Sequence, residues 1–173
     1  MVATQEILAG LSPAKADLAE ASGRIAAAVA HARAVRENVL DHGWDGVATG
    51  MDGVIVHFQN AHTAADAAVG TVELAETPVT EITDKMSPEE VEERLRTAAE
   101  KAEETSGSVE ATYDALDEAK DDVERVLRGG DPGPLLSMID DVRVTLNAAR
   151  GGLDTAKAKT ATELVEVAKA GNR

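Results

Sequence analysis

Apolar and small residues recur along most of this chain at one rhythm. Between Ser87 and Leu127 they stand at Val91, Leu95, Ala98, Ala102, Thr105, Val109, Thr112, Leu116, Ala119, Val123 and Val126. The steps alternate between four and three, a period of 3.5, which is the stripe of a helix that packs along its whole length against other helices. Almost everything off the stripe is Glu, Asp, Lys or Arg. A helix of about 40 residues reaches roughly 60 Å and buries little by itself, so it needs partners elsewhere in the chain or in another chain.

The same rhythm runs through three further segments. Ile7, Leu11, Ala14, Leu18, Ala21, Ile25, Ala28, Ala32, Val35 and Val39 form the first stripe. Within it, Ser12-Pro13 reads as a helix start, because serine caps and proline suits a first turn. The main helix is therefore expected from Pro13, after a short helical lead-in. Asp41-His42-Gly43-Trp44-Asp45-Gly46 reads as a turn. A second helix over Val47–Ala75 follows, with Met51, Val54, Phe58, Ala61, Ala65, Ala68 and Val72 on its stripe. Residues 76–86, with Pro78 and several β-branched residues, read as a linker. Ser87-Pro88-Glu89-Glu90 carries the signature of a capping box. Arg128-Gly129-Gly130-Asp131-Pro132-Gly133-Pro134 is the clearest break, and Leu135, Ile139, Val142, Leu146, Ala149, Leu153, Ala156, Thr160 and Val167 mark a fourth helix. Gly151-Gly152 inside it is a candidate bend.

These elements predict an all-α protein of four long antiparallel helices in two tandem hairpins, 1–75 and 87–173. The result is an elongated four-helix bundle or coiled coil. The pattern leaves open whether the hairpins close on each other or on counterparts in a second chain. The halves also share features that suggest an internal duplication. Ser22-Gly23 aligns with Ser106-Gly107, and Asp52, Val54 and Ala61 align with Asp140, Val142 and Ala149.

Composition narrows the picture. Hydrophobic residues make up 43 % but aromatics only 2 %, so the core must be long and thin. The net charge of −15 disfavours nucleic acid and anionic lipid, and favours a basic partner. Read by halves the charge is even: residues 1–86 sum to −7 and residues 87–173 to −8. There is no cysteine, hence no disulfide or thiol chemistry. No apolar run is long enough to span a membrane, and no ordinary signal peptide stands at the start. Those two readings place the protein in the cytoplasm, or outside the cell by a route that needs no classical signal peptide. The Ala/Val/Asp-rich usage fits a high-GC actinobacterial gene.

Candidate chemistry is sparse. His31, His42, His57 and His62 all fall in the first hairpin, but no Glu-x-x-His step is present and no metal ligand set is predicted. The third helix is rich in carboxylates, but a slender bundle offers no cleft to raise one pKa. Pairs such as Glu90 with Arg94, Glu92 with Arg96 and Asp121 with Arg125 read as surface i,i+4 bridges. Gly129–Gly133 lacks the Gly-Lys-Ser/Thr of a phosphate loop. No catalytic residue and no cofactor is therefore expected.

Trp44, the single tryptophan, stands in a turn and off every stripe. It either covers the last layer of the bundle or meets a partner. Trp44-Asp45-Gly46 in the turn of an Ala-rich hairpin resembles the WXG-motif family of small helical hairpins handled by ESX-type (type VII) secretion. Tyr113 and Asp117 match that family's Tyr-x-x-x-Asp/Glu letters, here inside the third helix. The resemblance implies a non-enzymatic interaction module, a secretion-related substrate or adaptor, with Trp44, Asp45, Gly46, Tyr113 and Asp117 as partner-binding residues. The alternative is a self-associating scaffold or homo-oligomer. The expected partner is a helical or basic protein, or a second copy.

Overall fold

Four helices account for nearly all of the backbone. In a computed structural model, which describes residues 2–172, α1 spans Thr4–Asp41, α2 Asp45–Thr80, α3 Pro88–Val126 and α4 Gly133–Gly171. Each packs on two neighbours, in the cyclic order α1, α2, α3, α4 and back to α1, so no helix lies across the diagonal. The result is an all-α four-helix bundle with one continuous core through all four helices. Among the described residues no helix is long and apolar enough to cross a membrane.

The 3.5-residue stripes are what this core is made of. Every stripe position from Val91 to Val123 is buried, as are all of those named on α1 except Val35, on α2 except Val47, and on α4 except Val167. The α3 start is built as its letters require. The Ser87 hydroxyl accepts from the Glu90 N–H at 3.2 Å, and the Glu90 carboxylate accepts from the Ser87 N–H at 2.7 Å. This reciprocal box stabilises the helix by about 1 kcal/mol.

Two helix boundaries differ from the expectation. α1 begins at Thr4 and runs straight through Pro13, which lies on its exposed side. Ile7, Gly10 and Leu11 are buried against the bundle, and that burial outweighs the lost backbone bond at proline. α2 likewise continues past Ala75 to Thr80, because Pro78 and Val79 are themselves buried. The connection between hairpins is therefore 81–87, not 76–86.

α4 is a single helix through Gly151-Gly152. Gly152 serves packing. A Cβ there would lie 2.7 Å from the Gly10 carbonyl oxygen, and one on Gly10 would lie 2.6 Å from that of Gly152. The α1 and α4 backbones touch at this point, with Ala14 and Ala156 beside it.

The outer edge of the α3–α4 seam is held by a ladder. Arg143 pairs with Asp117, Arg150 with Glu110 (2.5 Å) and Lys157 with Glu103 (2.8 Å). Each rung lies seven residues further along α4 and seven back along α3, which is the register of an antiparallel pair. Of the predicted surface bridges only Glu92–Arg96 forms. Arg94 reaches Glu81 instead, and Arg125 reaches Asp122 at 2.7 Å.

Candidate partner-binding surface at the turn end

Both short turns lie at one end of the bundle, and three stripe residues near them are only half-buried. The α1–α2 turn rests on one glycine and one backbone bond: Gly43 takes φ +77°, and the Trp44 N–H donates to the Val39 carbonyl at 2.9 Å. The α3–α4 turn uses Gly129 at φ +84° in the same way. L side chains rarely adopt this region, so each glycine is what lets its helix stop short.

Between the two turns is a cleft of about 530 Å³. Val35, Val47 and Val126 line it, together with Trp44, Leu127 and Pro134. These three valines occupy stripe positions, yet they are only half-buried, unlike the stripe residues of the inner layers. His31, Asn38, Arg128 and Asp131 add polar groups to the wall. Trp44 does not seal the opening. It caps α2, is 58 % exposed, and its ring leans on His42 with centroids 5.5 Å apart. Leu40 is exposed beside it at 38 %. Asp45 opens the first turn of α2, where a carboxylate favours the helix dipole, and Gly46 follows with open space around it.

Tyr113 and Asp117 belong to a different place. They sit on the α3–α4 seam, 13 and 9 residues before α3 ends at Val126, and neither lines the cleft. The Tyr113 hydroxyl donates to the Asn147 side chain, and the Arg150 guanidinium stacks 4.3 Å from its ring centroid. Burial pushes the Tyr113 phenol up, against the opposing influence of Arg150. Asp117 is a rung of the ladder through Arg143. Trp44, Asp45 and Gly46 are thus brought together at one surface, and Tyr113 and Asp117 are committed to holding two helices of this chain.

The histidines are dispersed. His57 on α2 lies between two carboxylates of α3, with Nδ1 3.0 Å from Glu118 and Nε2 3.0 Å from Asp122. Its buried Nδ1 has no hydrogen-bond partner despite that proximity. His62 is 3.5 Å from Asp66, which also accepts from Ser22. Among the described residues no group of three His, Asp or Glu side chains is arranged to hold a metal ion.

The sequence singles out Trp44 as its one tryptophan and gives no sign of the cleft around it. Val35, Val47 and Val126 have the same letters as core residues, and only the packing around them leaves them half-buried. Residues 86–172, which correspond to α3 and α4, match the model of DUF6244, a family of unknown function. No curated protein and no solved structure matches the chain.

Proposed function

We propose, for a chain that belongs to the DUF6244 family, a non-enzymatic role as a helical protein–protein interaction module that docks through its turn end. One observation carries the reading: the only tryptophan is 58 % exposed on a cleft whose stripe valines are only half-buried. Tryptophan is enriched at interface hot spots, because it desolvates a large area at little entropic cost. The Trp44-Asp45-Gly46 turn also supports a type VII secretion-related substrate or adaptor, since the motif's letters stand at the tip of a long hairpin. The remaining surface is dominated by paired and solvated charges.

The test is capture from the native cell on immobilised protein, followed by reconstitution of the complex from purified components. Trp44→Ala should abolish or greatly weaken it, with helicity unchanged by circular dichroism. Equal retention by Trp44→Ala would remove the turn end from the contact. A self-associating scaffold is the second reading. It is favoured by Val144 and Val165, exposed at 70 % and 53 % on α4, a helix whose five acids and five bases balance. Light scattering that gives one monomer mass at all concentrations would dispose of it.

A further inference from the structure

We infer that the occupant of the turn-end cleft is a basic amphipathic helix of a protein partner. It sets an apolar side chain between Val35, Val47 and Val126 and places cations against the carboxylates around the lip. This rests on the docking role proposed above and adds the chemistry of the partner. A helix suits the opening because the half-buried valines continue the stripes of α1, α2 and α3, and an incoming stripe at i, i+3 and i+4 spacing extends the same layer packing.

The charge around the opening selects the sign. Residues 36–52 and 122–141 form the turn-end layers and carry nine carboxylates against three guanidinium groups. Arg36 and Arg125 are already engaged by Asp52 at 2.5 Å and Asp122 at 2.7 Å. Arg128 alone remains, in the cleft wall with His31 and in the same α3–α4 turn as Asp131. Asp41 and Asp45 flank Trp44, and neither they nor Asp131 form an ion pair among the described residues. Behind this lip stand α2 and α3, adjacent helices that carry −5 and −9 of the total −15. That field speeds the approach of a cationic segment and turns an acidic one away.

The single tryptophan makes the test local, because Trp44 emission reports this end and no other. Two designed helical peptides serve as probes. They share one leucine–phenylalanine stripe, and the other positions are lysine in one and glutamate in the second. The lysine peptide should shift Trp44 emission to the blue and saturate. The glutamate peptide should leave it unchanged. The triple change Asp41→Asn, Asp45→Asn, Asp131→Asn should weaken the lysine peptide about tenfold, and Val35→Glu should abolish its binding by calorimetry. Trp44→Ala, at an exposed position, serves the same purpose if Val35→Glu misfolds.

Equal binding of both peptides would overturn the inference. So would a lysine peptide that leaves Trp44 emission unmoved, or one that binds the cleft variants as tightly as the parent, since it would then be held by the acidic α2–α3 side alone. Any of these results, with native capture still dependent on Trp44, sinks the basic-helix inference and leaves the docking role standing. Capture that ignores Trp44 sinks the docking role itself.

Discussion

Single residues set the tolerances of this bundle. Gly10 and Gly152 allow α1 and α4 to touch backbone to backbone, so a methyl group there has no room. Gly152→Ala should lower stability by about 1–3 kcal/mol, read from the urea midpoint. Gly23 makes the contrast: nothing lies within 4 Å of a Cβ there. Gly23→Ala should therefore raise stability by about 0.5–1 kcal/mol through helix propensity alone. The two positions look alike in the sequence, each a glycine inside an alanine-rich helix, because what separates them is the neighbour across the interface. Tyr113 gives a prediction in pH. Its phenol is raised above the ordinary value of 10.0, chiefly by burial, so the folded state holds the proton more tightly than the unfolded one. Its contribution to stability is intact below the ordinary value and is lost as pH rises through the raised one. Unfolding midpoints measured across that alkaline window should fall more steeply for the parent than for Tyr113→Phe.

At the scale of elements, the stripes were legible because a 3.5-residue period has one physical meaning when it persists for many turns. The boundaries were less legible. Ser12-Pro13 is a sound local start signal, and α1 ignores it because Ile7 and Leu11 gain more by burial than the proline costs. Pro13→Ala should thus stabilise the protein by up to about 3 kcal/mol, seen as a higher thermal midpoint. The α3–α4 ladder was hidden for the opposite reason. Asp117, Glu110 and Glu103 lie in one helix and Arg143, Arg150 and Lys157 in another, and only the antiparallel register lines them up. Each rung joins a half-buried base to an exposed acid and contributes at most about 1 kcal/mol. Arg150→Glu should destabilise by somewhat more than that because it also loses the stacking on Tyr113. Adding Glu110→Arg should restore part of the loss, and a double-mutant cycle measures it.

Across the whole molecule the charge is sorted by the fold. Counted by halves of the chain it is even, yet α2 and α3 lie side by side with −14 between them, while α1 and α4 carry −1 and 0. The consequence is self-repulsion concentrated on one side, which counterions relieve. Stability should rise as salt is added from low to moderate ionic strength, with the thermal midpoint as the readout. A bundle governed by its exposed ion pairs would show the reverse.

The helical type of each segment and most of the buried stripe were decided within the sequence, because helix periodicity is a local property that each segment carries by itself. So was the special standing of Trp44, off every stripe and in a turn. Only the tertiary structure decided which helices adjoin, and with that came the acidic side, the Gly10–Gly152 contact and the ladder that claims Tyr113 and Asp117. It alone also decided that Val35, Val47 and Val126 stay half-buried at the edge of a cleft. The reason is the same throughout: a contact between segments far apart in the chain depends on the register and order of the helices, and the letters of any one helix do not contain them.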